Sequence, residues 1–326
     1  MTELAIPDLS DVLAARRRIA PYLRPTPLYS YPALDALTGA RIWVKHENHQ
    51  PIGAFKVRGG INLISQLGPD DRRRGVITAS TGNHGQSVAY AAGLFGVPAV
   101  VCVPEQANPV KVESMRALGA EVISHGRDFD EAREHCEKLA SEHGYRYIHS
   151  ANEPALISGV ATYTLEILEA EPDTDVIVVP VGGGSGAAGA CVVAPAVRPS
   201  IEVIAVQSEA APAAYRSWQA RALVEDTMAT FAEGLATRTA FELTQRILWE
   251  RLDDFVLVSE ASLAEATRLM ISKTRNLVEP SGAAALAAVL AEPGRFADRR
   301  VAIVCSGGNI SPEQLVRLWP AAAATS

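Results

Sequence analysis

The chain has only four cysteines in 326 residues (Cys102, Cys136, Cys191 and Cys305), and they show no paired spacing. A secreted disulfide framework needs more of them in a shorter chain, so a reducing cytoplasm is the expected setting. An excess of positive charge is also missing: 30 Lys and Arg face 37 Asp and Glu, for a formal net charge of −7. Nucleic-acid phosphates require clustered cations, so no nucleic-acid partner is expected. The arginine runs at 16–18 and 72–74 are short and read as solvated helix faces. The opening segment MTELAIPDLSDVLAARRRIA carries early acids and no apolar signal core. The uncharged stretch 86–104 contains Gly93, Gly96 and Pro98, so it reads as a helix, a turn and a strand rather than a membrane span. There is no fixed-period repeat, low-complexity segment or obvious linker.

What is present is an ordinary globular composition, 48% hydrophobic and 21% charged. At ~150 residues per domain the length suggests roughly two domains. A first helix is expected after Ser10 as its cap, with Asp11 in the first turn and Val12, Leu13, Ala15 and Ile19 behind it. The segment RPTPL (24–28) cannot be helical. From Gly75 strands and helices alternate. VITAS (76–80), PAVVCVP (98–104), EVISH (121–125) and YRYIHS (145–150) read as strands. Helices lie between them, running through Ala92, over NPVKVESMRALG (108–119), and over DFDEAREHCEKLASEHG with Asp128 and Glu131 spaced as a capping box. DVIVVPV (175–181), IEVIAVQ (201–207) and RVAIVCS (300–306) repeat the style as continuous apolar strands. SLAEATRLMISKTR reads as a helix opened by a Ser262–Glu265 capping box. The alanine-rich tail after Pro320 reads as a frayed or docked end. The alternation predicts an α/β protein with parallel sheets, its domains interleaved in sequence.

After DVIVVPV comes Gly182–Gly183–Gly184–Ser185–Gly186. A strand running through a glycine loop into a helix makes an anion site, because unpaired N–H groups and the helix dipole face outward and glycine lets a phosphate come close. Three readings compete here. Gly184, Gly186 and Gly189 fit GxGxxG with Glu209 downstream, as in a dinucleotide site. A smaller phosphate cofactor fits equally, and so does a tight structural turn.

Residues 45–60 read KHENHQPIGAFKVRGG. A lone lysine is normally a solvated surface residue. Lys56, between Phe55 and Val57 and flanked by glycines, can instead be desolvated, which favours the neutral amine needed for a Schiff base.

GAFKVRGG, STGNHGQS (80–87), VGGGSG (181–186) and CSGGN (305–309) occur in this order. Together they resemble the fold-type-II pyridoxal-phosphate enzymes of the serine/threonine dehydratase and serine racemase group, over nearly the whole chain from RPTPL to SGGN. The resemblance implies a tryptophan-synthase-β-like fold: two open twisted α/β domains with the active site between them. Residues 1–46 and 147–326 would form the larger, cofactor-binding domain and 47–146 a smaller mobile one. It implies that Lys56 carries pyridoxal 5′-phosphate and removes the substrate Cα proton. Phe55 would pack against the ring. Gly182, Gly183, Gly184, Ser185 and Gly186 would form the phosphate cup, and Asn83 would meet the ring 3′-oxygen. Ser80, Thr81, Asn83 and His84 would receive the substrate carboxylate. Asn152 and AEGLAT (232–237) would approach the rest of the substrate. Ser306 would face the pyridine nitrogen; a neutral hydroxyl there supports an unprotonated ring, a weaker electron sink that favours β-elimination. Cys305, beside it, would lie near the cofactor.

The implied activity is an ammonia-lyase acting on a β-hydroxy-α-amino acid such as L-threonine or L-serine, working as a homodimer, with no membrane partner. Thr81 stands where racemases of the group place a serine and many dehydratases an alanine, so racemisation is the alternative. A nicotinamide-dependent dehydrogenase and a non-catalytic binder are remote alternatives. Relatives that bind a divalent cation use a Glu and an Asp where this chain has Gln207 and Ala213, so no metal of that type is expected. Glu209 reads as a solvated loop carboxylate, and HENH (46–49) lacks further partners for zinc. No extra Arg or His stands out for a second substrate carboxylate, and Glu233 would repel one. The chain stops soon after Asn309, so no C-terminal regulatory extension is expected.

Overall fold

The computed structural model describes residues 4–319; the tail after Pro320 lies outside them. Ten strands form two sheets: β1 (Leu28–Ser30), β2 (Arg41–His46), β3 (Val76–Ala79), β4 (Ala99–Val103), β5 (Glu121–Ser124), β6 (Arg146–Tyr147), β7 (Val176–Pro180), β8 (Glu202–Ser208), β9 (Asp254–Val258) and β10 (Arg300–Cys305). The larger sheet has the order β1-β2-β10-β7-β8-β9, and the smaller β5-β4-β3-β6. Pairing is parallel throughout except between β1 and β2. The smaller sheet comes wholly from sequence between β2 and β7. This is the two-sheet α/β architecture of the tryptophan-synthase-β-like type, with helices packed around each sheet.

Strand β7 shows why the larger sheet sits in the middle. Ile177 and Val179 point into one apolar cluster, with the helix Ser185–Val197. Val176 and Val178 point into another, with the helix Pro280–Ala291. A strand covered on both faces must be apolar at every position, which is what VIVVP provides. Both covering helices are rich in alanine and glycine, so they lie close to the sheet. The helix Lys56–Ile64 sends Val57, Ile61, Leu63 and Ile64 into a third cluster, shared with β3 and β4. Two glycines inside it allow close approach: a Cβ on Gly59 would stand 2.8 Å from Leu156, and one on Gly60 2.4 Å from Ser87 Oγ. A mid-helix glycine costs about 1 kcal/mol in helix propensity, which the packing outweighs.

Several local expectations shift by a few residues. The first helix is Leu9–Ile19, capped by Asp8, whose carboxylate accepts from the N–H of Asp11 while the Asp11 carboxylate accepts from that of Asp8. Ser10 instead donates to Asp8 at 2.7 Å. Asp128 caps its helix, but Glu131 turns to accept from Arg127, leaving half a capping box. The helix expected to open at Ser262 is Glu260–Thr274, capped by Ser259, which accepts from Ser262 N–H. YRYIHS pairs only over Arg146–Tyr147, because His149 Nδ1 accepts from the N–H groups of Ala151 and Asn152 and turns the chain out of the sheet. Strands β1, β2 and β9 had no clear sequence signal. In β2 the charge of Lys45 masks a central strand, and burial is possible because its ammonium pairs with Glu166.

Replacing Asp8 with alanine is expected to cost about 1 kcal/mol of stability, and Ser10→Ala clearly less. Urea denaturation of the two variants checks which residue is the cap.

Candidate active site

The loops that follow β3, β7 and β10 converge on one cleft of about 1410 Å³. Its walls include Phe55, Lys56, residues 80–84, His149, Ser150, residues 182–186, Glu233, Glu279 and Ser306. Binding sites in open α/β sheets form at the carboxyl ends of strands, where successive loops part.

Lys56 begins its helix immediately after a short tie to β10. Phe55 N–H donates to Ser306 O at 3.1 Å, and Ala54 bridges Gly307. The Lys56 amine donates to Ser185 Oγ at 2.9 Å and to Ser150 O at 3.4 Å. Among the described residues no carboxylate is bonded to it, and desolvation by the surrounding walls pushes its pKa down to about 8. Near-neutral pH therefore leaves a usable fraction of free amine. Two residues on, Arg58 fixes the same turn. Its guanidinium bonds both oxygens of Glu47 at 2.7 and 2.8 Å and both of Glu166 at 2.6 and 2.8 Å. Burial raises the Glu47 carboxyl, but Arg58 outweighs it and holds that carboxyl below its usual range.

The glycine loop has the shape of a cradle. A Cβ on Gly182 would fall 2.2 Å from Gly234 O, and Gly184 has φ +87°, a left-handed conformation that disfavours side chains. The thirteen-residue helix Ser185–Val197 opens from this loop, so its first N–H groups and positive dipole end face the cleft. The Ser185 hydroxyl, bonded to Lys56, brings the amine to the rim of the cradle. A phosphate-bearing aldehyde fits this donor set: backbone N–H groups for the phosphate and a desolvated amine for the carbonyl carbon.

In the loop after β3, Ser80 Oγ accepts from the N–H of Gly82 at 3.2 Å and of Gly85 at 2.9 Å, so its oxygen shapes the loop itself. Thr81 and Asn83 line the cleft. The Asn83 amide is held at both ends: it donates to Glu279 at 2.8 Å and accepts from Asn309 at 2.7 Å. His84 is buried and neutral, its pKa pushed down to about 3 by burial; Nε2 lies 3.4 Å from Ile148 O, and Nδ1 has no partner. On the opposite wall Ser306 directs its hydroxyl at Ser281 O, 3.4 Å away, and the Phe55 ring stands edge-on to Tyr163 at 6.1 Å.

Asn152 departs from its expected place. Its Oδ1 accepts from Leu243 N–H, capping the helix Glu242–Arg251 from outside, and it is not among the cleft-lining residues; His149 and Ser150 form that wall. Cys305 points into the apolar cluster on the far side of β10. The Gln207 amide accepts from Tyr215 N–H and donates to Thr237, filling its position with the protein's own hydrogen bonds. His46 bonds Tyr31 and Asn48, His49 bonds Asn276, and the two rings stack. Glu209 is exposed. Among the described residues, no three His, Cys, Asp or Glu side chains gather closely enough to hold a metal ion, and no helix is long and apolar enough to cross a membrane.

Residues 19–307 match the family described as pyridoxal-phosphate dependent enzyme. The chain belongs to that family. It is 38% identical to the L-threonine ammonia-lyase of Thermotoga maritima over 311 residues, covering 95% of this chain and 77% of the relative. It is 35% identical to the β-hydroxyaspartate dehydratase of Paracoccus denitrificans, covering 95% of this chain and 98% of that one. The crystal structure of serine racemase from Dictyostelium discoideum superposes with a TM-score of 0.89 at 34% identity, covering 94% of this chain and 100% of that one. The protein is thus a fold-type-II enzyme related to threonine and serine dehydratases and serine racemases, and pyridoxal phosphate is its cofactor.

Sequence reasoning missed Glu279 and Lys111 in this cleft, and behind it Asn309, which holds Asn83, and the Arg58–Glu47–Glu166 cluster. Asn309 ends the quoted SGGN segment and could have been read from it. Glu279 merely precedes a helix, and Lys111 looks like any lysine in a first helical turn.

His46, His84 and His149 are all held down by burial, to about 4, 3 and 4. Each is neutral in the fold and takes up a proton on unfolding below its ordinary value of about 6.5. Their contribution to stability is therefore complete above that pH and is lost as pH falls below it, with a combined slope of up to about 4 kcal/mol per pH unit. Melting temperature should drop steeply between about pH 6.5 and pH 4. The drop should be shallower in His149→Asn; a flat profile would contradict the assignment.

Proposed function

We propose that the protein catalyses β-elimination from a β-hydroxy-α-amino acid such as L-threonine or L-serine, releasing a 2-oxo acid and ammonia. The observation that carries this reading is the Lys56 amine. It is desolvated, bonded to no carboxylate among the described residues, and directed at the glycine cradle by Ser185. The 38% identity to an L-threonine ammonia-lyase supports the same assignment.

Bound pyridoxal phosphate supplies an electron sink for the carbanion formed at the substrate Cα. The chain's own groups do the rest. Residues 182–186 would hold the phosphate through backbone N–H groups, and Phe55 would wall the ring. Asn83, locked by Glu279 and Asn309, would hold the ring through its 3′-oxygen. Residues 80–84 receive the substrate carboxylate at a helix start. His84, neutral and buried, shapes that loop and does not act as a proton acceptor. The Lys56 amine, held beside the cradle by Ser185, would be the base that takes the Cα proton. The Cβ–O bond breaks with loss of water, and hydrolysis of the resulting enamine returns one water and frees ammonia. Ser306, a neutral partner for the ring nitrogen, limits delocalisation and favours elimination.

Racemisation is the second reading, because the Thr81 hydroxyl lines the cleft where a second proton donor would stand. The resemblance extends the proposal to a homodimer in the cytoplasm, for which sedimentation provides the check on assembly.

The test is a panel of β-hydroxy amino acids offered to the loaded enzyme, following 2-oxo acid, ammonia and chirality together. Lys56→Met should lower turnover by at least about 10³-fold. Interconversion of enantiomers with no 2-oxo acid would refute elimination. Thr81→Ala should retain most elimination, and its loss with persisting Cα exchange would show that the hydroxyl belongs to the elimination step.

A further inference from the structure

The cleft contains a cation that the reaction above does not use. Lys111 lies in the first turn of the helix Pro109–Ala117, on the side of the smaller sheet, and its side chain is only 9% exposed. Apart from Lys56, it is the one buried basic side chain among the described residues lining the cleft. Arg127 and Arg133, also on the wall, are far more open and pair with carboxylates on their own helical turns. A buried ammonium needs an anion. Here the anion is Glu233, which reaches across from the opposite wall. Glu233 is 44% exposed and also accepts from Gln314 at 3.0 Å, so it can leave Lys111 and remain hydrated and bonded.

Position gives this pair its meaning. The Lys111 ammonium stands 4.0 Å from where a Cβ on Gly82 would lie. It therefore abuts the loop 80–84 that receives the α-carboxylate. In a four-carbon hydroxy diacid the two carboxylates are separated by only two tetrahedral carbons, so a group for the second one must lie beside the binder of the first. Glu233, which the sequence suggested would repel a second carboxylate, is itself the carboxylate occupying the cation that would bind it.

We propose that Lys111 is the specificity-determining residue of this cleft, binding a second carboxylate on the β-carbon of a β-hydroxy-α-amino acid in place of Glu233. The substrate class is thereby a β-hydroxy amino diacid of the hydroxyaspartate type. This inference rests on the elimination reading. Serine and threonine leave the Lys111–Glu233 pair closed; the diacid opens it and exchanges one carboxylate for another, so no net charge is buried in the exchange.

The test compares kcat/KM for 3-hydroxyaspartate, L-serine and L-threonine in the loaded wild type, Lys111→Met, Lys111→Arg and Glu233→Gln. The wild type should prefer the diacid. Lys111→Met should lower the diacid-to-serine ratio by about 100-fold, and Lys111→Arg should recover much of it. Glu233→Gln, which removes the competing anion, should hold or raise the ratio. Binding gives an independent readout: malonate should perturb the visible absorbance of the loaded wild type at lower concentration than acetate does, and Lys111→Met should erase that difference. Equal losses on all three substrates in Lys111→Met, or a fall of the ratio in Glu233→Gln, would mean that the pair only braces the two walls and would overturn the proposal. If serine and threonine yield 2-oxo acid while the diacid does not, this inference fails alone. If none of the three yields 2-oxo acid, the elimination reading fails first.

Discussion

The structure depends on where the first turn of the helix Lys56–Ile64 is held. By its apolar face this helix belongs with the smaller sheet, since Val57, Ile61 and Ile64 pack there. By its charge it belongs with the larger one. Arg58 is clamped between Glu47, at the end of β2, and Glu166, and Lys45 of β2 shares Glu166. Three buried charges and the nearly buried Glu166 sum to zero across the junction. Such a cluster stabilises little relative to an apolar replacement, because desolvation offsets attraction, but it tolerates only one arrangement. Leaving out any partner would strand a charge in the interior. The consequence is geometric: Lys56, two residues from Arg58, keeps a fixed relation to Ser185 and Ser306 on the larger sheet while its helix packs on the smaller one.

The parts of this arrangement that were legible in the sequence are those where chemistry leaves a compositional mark. VIVVP, and RVAIVC after its first residue, are apolar at every position because both faces are covered. Gly182 and Gly184 stand where a side chain would strike Gly234 or strain the backbone, so the glycine run is a steric necessity that shows in the letters. Lys56 was legible from its neighbours more than from itself.

Long-range pairing leaves no such mark. Lys45 and Lys111 look like surface lysines until Glu166 and Glu233 are brought beside them from 121 and 122 residues away. Asn152 lies in the right segment, but the choice between facing a cleft and capping Leu243 depends on a helix that arrives 91 residues later. Caps fail for a smaller reason. At Asp8 and Ser259, more than one acceptor-bearing residue precedes the helix, and a shift of two or three residues changes which one meets the first free N–H.

A chain with net charge −7 that binds an anionic cofactor and a carboxylate substrate is not a contradiction. Net charge governs the far field, which salt screens within about 8 Å at physiological strength. Binding happens at contact. The proposed sites there offer the anions backbone N–H groups at the starts of the helices Ser185–Val197 and Asn83–Phe95, whose partial charges no residue count includes. The formal cations are used sparingly. Among the described residues Lys56 is left without a carboxylate, and desolvation lowers its pKa to about 8, whereas Lys111 is paired with Glu233 across the cleft. The same residue type, buried in the same cleft, takes opposite roles according to whether a carboxylate reaches it.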